Sequence, residues 1–127
     1  LTRLLLEGFG GGDFTVVDEI VAENLIEHQH GSPQGREGLK TLIRNIRDAF
    51  PDISYMAIQM VQDGDKVWGH FQARGTNTGS FMGQPPTGKH MTIDVIDIGR
   101  FNNGKLVEHW GVPDRLALLL QIGLFPR

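Results

Sequence analysis

No cysteine occurs in the 127 residues. Disulfides, thiolate catalysis and cysteine-type zinc sites are therefore excluded, and the composition fits a cytoplasmic setting. Nor is there an apolar run near the roughly 20 residues that a membrane-spanning helix requires, or a signal-peptide pattern at the start. Leu1 opens inside an apolar pattern, so native residues are expected ahead of it. Charge of one sign is scarce: the formal net charge is −3. The basic residues Arg36, Lys40, Arg44 and Arg47 are spread along one helical segment without interleaved aromatics, so the footprint of a nucleic-acid binder is missing. Repeats and linkers are absent too, and the length suits one domain, 1–127, with a single core.

What the chain does contain is a change of period. Leu1 to Phe9 reads as a helix broken by Gly10-Gly11-Gly12. Asp13 can cap a short helix through about Val21, and Asn24 to Gln29 reads as extended. Arg36 to Phe50 is the clearest helix: Leu39, Leu42, Ile43, Ile46 and Phe50 follow the 3–4 spacing until Pro51 stops it. Four strands then follow at Ile53 to Gln62, Lys66 to Gly75, His90 to Phe101 and Lys105 to Gly111. Asp63-Gly64-Asp65 and Asn102-Asn103-Gly104 supply hairpin turns. Thr76 to Lys89 is too long for a plain turn and reads as a lid or rim. Asp114 to Ile122 closes as a Leu-rich helix ended by Gly123. Helices followed by long antiparallel strands predict an α+β cone, a strongly curved sheet wrapped around helices, with a pocket inside its mouth.

The last third holds the sharpest candidate. Glu108, His109 and Trp110 precede Pro113 and Asp114, which stands at the lip of the terminal helix. A carboxylate beside a partly apolar pocket can act as a general acid or base without a cofactor. The same residue can simply cap its helix, and both readings stay open at this point. Trp110 is expected to face inward as an apolar wall with Glu108 supporting it, which leaves His109 structural. His28 and His30 lie two apart, a spacing that invites a metal. Glu37 falls too far on to complete such a site, and no metal or other cofactor is assigned. His70 faces either the pocket or an interface. Asp94 and Asp97 lie on opposite faces of one strand, and an Asp94–Arg100 ion pair is expected. Phe9 is placed near the cone mouth.

Across nearly its whole length the chain resembles the SnoaL-like polyketide cyclases, also called predicted ester cyclases, of the NTF2-like superfamily. The resemblance rests on His28 with Gly35-Arg36-Glu37-Gly38-Leu39, Ala49-Phe50-Pro51-Asp52 and Gly64-Asp65-Lys66-Val67. It continues through Gly75-Thr76-Asn77-Thr78-Gly79, Pro85 to Lys89, Asp97 to Phe101 and Gly104 to Leu119. It implies cofactor-independent intramolecular aldol closure on an apolar carbonyl or polyketide-like ligand, with Asp114 as acid/base. His28, His70, Arg100, Trp110, Asn77 and Phe9 would then be substrate contacts, and pairing of the outer sheet faces would form a homodimer. Three positions depart from the pattern: Arg100 at a pocket position, Asn77 in place of a His, and Gly111 where an acidic residue often follows the Trp. The alternatives are epoxide-hydrolase-like water activation built on Asp94 and Arg100, and a non-catalytic binding module.

Overall fold

In the computed structural model, residues 1–29 and 31–124 are described. A π-helical segment, Leu4–Gly10, opens the chain and buries Leu4, Leu5 and Phe9. It is followed by α1, Phe14–Ile20, whose cap is Asp13: the carboxylate accepts from the Thr15 backbone N–H at 3.0 Å. Next come β1, Val21–Glu27, and α2, Gly35–Ala49. Leu39 and Ile43 project from α2 into the core, and Pro51 follows its end. The sheet continues with β2, Ser54–Asp63; β3, Lys66–Thr76; β4, His90–Asn102; and β5, Lys105–Pro113. The short helix α3, Arg115–Ile122, ends at Gly123, whose φ of 79° suits a left-handed C-terminal stop.

The strand order is β1-β5-β4-β3-β2. The pairs β2–β3, β3–β4 and β4–β5 are antiparallel as the turn residues require, and Asn103 and Gly104 both carry positive φ in the β4–β5 turn. The expectation of four antiparallel strands needs one correction: β1 is a fifth strand, docked parallel to β5. Its alternation is hidden in sequence because its register breaks between Val21 and Ile26, so Ala22-Glu23-Asn24 interrupts the buried series Val21, Leu25, Glu27.

Strict alternation divides β3 and β4 between two faces. Gly69, Phe71, Ala73 and Gly75 on β3, with Met91, Ile93, Val95, Asp97 and Gly99 on β4, point inward and are buried. Trp68, His70 and Gln72 are cross-strand partners of Ile98, Ile96 and Asp94, and share the outer face with them. The inward glycines make room for large neighbours: a Cβ on Gly69 would meet the Phe71 ring at 2.5 Å, and one on Gly99 would meet Leu106 at 2.6 Å. The core has two parts. One is built from the N-terminal segment, α1, α2 and Phe71; the other gathers Phe50, Ile93 and Val95 under α3.

One irregularity decides the face of the last strand. Phe101 pairs with Leu106, but Arg100 pairs with Glu108, so Val107 is an extra residue on β5. Without this bulge, simple counting from the turn would set Trp110 opposite Asp97, facing inward. With it, Gly111 lies opposite Asp97 and His109 opposite Gly99, so His109 and Gly111 point inward and Glu108 and Trp110 outward.

Candidate active site

A cavity of about 480 Å³ lies between the concave sheet, α2, α3 and the 77–89 loop. This is the size of a small-molecule site. Its walls are mostly apolar, with Leu5, Phe9, Ile46, Phe50, Ile93 and Leu118 among them. The polar lining falls into two groups. Asn45, Asp48, Ser80 and Arg115 are exposed and mark the mouth. Gln29, Tyr55 and Asp97 complete the polar part of the wall, and Asp97 is buried.

Behind that wall, three buried ionisable side chains form one chain of hydrogen bonds. His109 Nδ1 lies 2.9 Å from both carboxylate oxygens of Glu27, and its Nε2 lies 2.7 Å from Asp97 Oδ1. The strands place them: Glu27 and His109 are register partners on β1 and β5, and Asp97 sits on β4 across from Gly111. Burial by itself pushes the His109 pKa down. Its bonds to Asp97 and Glu27, together with their charges, outweigh this and raise it to about 9. At neutral pH the ring is thus an imidazolium donating from both nitrogens, the form that two carboxylates can hold. Glu27 is fixed further by the Gln29 backbone N–H, which donates to Oε2 at 2.9 Å, and by two bonds between its backbone and Gln34.

Asp97 Oδ2 is different: it is buried and has no hydrogen-bond partner among the described residues. A buried polar atom of this kind calls for a partner such as a water, an ion or a ligand group. Tyr55 reaches the same cavity and packs edge-on against Phe9, 6.0 Å between centroids. Burial, and then the Asp97 charge, pushes its phenol well above the usual range. It stays a neutral O–H, able to donate but not to act as a base at neutral pH.

The positions of the sequence candidates need several corrections. Asp114 is exposed and does not line the cavity; its Oδ1 accepts from the Ala117 N–H at 3.0 Å as the cap of α3. The bulge turns Trp110 outward, where it stacks on His28 at 4.7 Å between centroids with an 8° interplanar angle. Arg100 is also outside, 2.8 Å from Glu108 Oε1, and His28 Nε2 meets Glu108 Oε2 at 2.6 Å. The Arg100 guanidinium and then His28 hold the Glu108 carboxyl below its ordinary range. His70 bonds Asp94 at 2.8 Å on that same face, so the expected Asp94–Arg100 pair does not form. Phe9 alone among the expected contacts lines the cavity. His30 lies outside the described residues.

Asn77 is fully buried and organises the mouth loop. Its Nδ2 donates to the Ala49 and Gly79 carbonyls, and its Oδ1 accepts from the Thr87 N–H and hydroxyl. Asn77→Ala is expected to cost about 1–3 kcal/mol, because it leaves buried backbone groups unpaired; urea unfolding measures this. The residues that sequence reading passed over are Glu27, Gln29 and Tyr55, and His109 was given only a structural role. Asp97 was noticed only as a carboxylate in a strand. Its signal was there: it continues the inward series Met91, Ile93, Val95, where a carboxylate is out of place.

The chain is similar to other proteins in sequence and in fold. Nogalonic acid methyl ester cyclase of Streptomyces nogalater is 23% identical over 123 residues, covering 94% of this chain and 92% of that protein. The crystal structure of IdmH from Streptomyces antibioticus superposes with a TM-score of 0.83 at 32% identity, covering 94% of this chain and 93% of the other. TsrD from Streptomyces laurentii superposes at 0.87 with 26% identity, covering 94% and 90%. The SnoaL-like polyketide cyclase family model matches residues 1–122. With its curved sheet, apolar cavity and a match over residues 1–122, the chain belongs to the SnoaL-like polyketide cyclase family.

Proposed function

We propose that the protein is a cofactor-independent cyclase in which Asp97 is the general acid/base for aldol-type ring closure of a small apolar carbonyl compound. One observation carries this reading: Asp97 lines an apolar cavity of about 480 Å³, and its buried Oδ2 has no hydrogen-bond partner among the described residues. The carboxylate takes a proton from a carbon between two carbonyls, and the C–H electron pair moves onto a carbonyl oxygen as an enolate. The enolate carbon attacks the acceptor carbonyl, and the protonated Asp97 returns its proton to the oxygen of the new alcohol. The His109 imidazolium, backed by Glu27, orients Asp97 through Oδ1 and leaves Oδ2 for the substrate. The resemblance leads one to expect an acid at Gly111, the cross-strand partner of Asp97; here the carboxylate at that register position comes from β4 instead.

Exchange of the acidic α-protons of ethyl benzoylacetate in D2O, followed by proton NMR, tests this step without the native substrate. The protein is expected to accelerate exchange above the buffer rate, and no acceleration counts against the reading. Asp114 has a separate role. Asp114→Asn is expected to leave exchange unchanged, since asparagine also caps helices, whereas Asp114→Ala costs about 1 kcal/mol in a melting experiment.

Water activation between Asp94 and Arg100 has no support, since the two do not pair and face away from the cavity. The outer sheet face exposes Met56, Ile58, Val61, Trp68 and Val112, which supports pairing of two copies into a homodimer. Sedimentation velocity tests this by the mass of the species. Among the described residues no helix is long and apolar enough to cross a membrane.

A further inference from the structure

Gly111 is an inward position that carries no side chain, and the space a side chain would take is already filled. A Cβ built on Gly111 would meet Gln29 Oε1 at 2.2 Å, Gln29 Cδ at 3.1 Å and His109 Cε1 at 3.2 Å. The Gln29 carboxamide is therefore seated in the slot across from Asp97, beside the His109 ring. Gln29 lines the cavity, and its backbone N–H is tied to Glu27, so the residue is anchored to the same buried group that holds His109. Among the described residues its carboxamide has no hydrogen-bond partner. Half-buried and lining the cavity, the amide can present its two N–H donors to a polar group on a ligand there.

We propose that Gln29 is a second catalytic residue: seated against Gly111, its carboxamide N–H donates to the carbonyl oxygen that becomes the enolate oxygen when Asp97 removes the neighbouring C–H proton. This inference rests on the reading of Asp97 as the base. The bonding change is the one already written, with the C–H electron pair ending on the oxygen that Gln29 faces. A fixed donor aimed at developing negative charge acts in the transition state more than in the ground state. It also defines the substrate class: an apolar dicarbonyl whose enolisable carbon reaches Asp97 while its carbonyl oxygen reaches Gln29. Glycine at 111 is then a requirement of the site, since any larger residue would evict the carboxamide.

Four proteins test this by ethyl benzoylacetate exchange: wild type, Gln29→Ala, Gly111→Ala and the double variant. Gln29→Ala is expected to lower kcat about 10–100-fold with KM little changed. Gly111→Ala should give a similar loss, because its methyl displaces the flexible end of Gln29, and the double variant should be no slower than the slower single. Melting curves establish that each variant is folded. If Gln29→Ala exchanges like wild type, or if the two losses multiply, the inference is overturned while the role of Asp97 stands. If Asp97→Asn exchanges like wild type, the reading beneath it fails instead. Binding of para-nitrophenolate to Asp97→Asn gives an assay that needs no turnover, since its anionic oxygen stands in for the enolate. Adding Gln29→Ala or Gly111→Ala should weaken that binding about 10-fold or more, and equal binding would again overturn the inference.

Discussion

Asp97→Asn is expected to lower proton exchange from a β-ketoester by about 10²–10⁴-fold, the range that a positioned general base contributes. Asparagine keeps the shape of the carboxylate and an oxygen that can still accept from His109 Nε2, so the fold should survive. What it loses is the ability to take a proton at the second oxygen, which is buried and has no partner among the described residues. The comparison with Asp114→Asn sharpens the result. Asp97 pairs with Gly111, three residues before Asp114, but only Asp97 lines the cavity, and Asp114 spends its oxygen on the Ala117 N–H. Equal losses in the two variants, or loss at Asp114 alone, would return the acid/base role to the rim.

The second large effect is on stability. His109→Leu is expected to cost about 3–5 kcal/mol, because it removes the one cation between Glu27 and Asp97 and leaves both carboxylates buried without it. The same group gives the wild type a dependence on pH with a definite sign. The His109 pKa is raised from 6.5 to about 9 in the folded protein. Its contribution is therefore fully present below about 6.5 and is lost as pH rises through about 9. The wild-type unfolding free energy from urea titrations should fall across that window, by on the order of a few kcal/mol from this group. His109→Leu should lack that slope. A wild-type midpoint that stays level from pH 6.5 to 9 would mean that His109 is neutral when folded, and that two buried carboxylates share a proton another way.

Local signals in the sequence were reliable for the elements. The 3–4 spacing from Leu39 to Phe50, the caps Asp13 and Asp114, and the Asn103-Gly104 turn each rest on chemistry within a few residues. All appear where expected, within one or two residues. The cone architecture follows from their order and agrees with the observed fold. The site was less legible because it depends on pairing between strands far apart in sequence. One extra residue, Val107, exchanges the inward and outward sets of β5. Trp110 and Glu108, expected on the cavity side, thereby join Arg100 and His28 outside, and His109 moves from a structural role to the centre of the buried chain. The parallel docking of β1 was equally hidden, and with it the reason for a buried acid at Glu27. Asp97 needed no fold to be noticed, but only the register with β5 sets it beside His109 and Gly111.

The proposed chemistry takes place inside the cavity at Asp97. Its most direct test is a crystal structure of the wild-type protein with para-nitrophenol bound. The ring is expected among Phe9, Ile93 and Leu118, with the phenol O–H donating to the Asp97 carboxylate at about 2.5–3.0 Å. A phenol seated instead beside Asp114, or on the outer stack of His28 and Trp110, with Asp97 untouched, would contradict it.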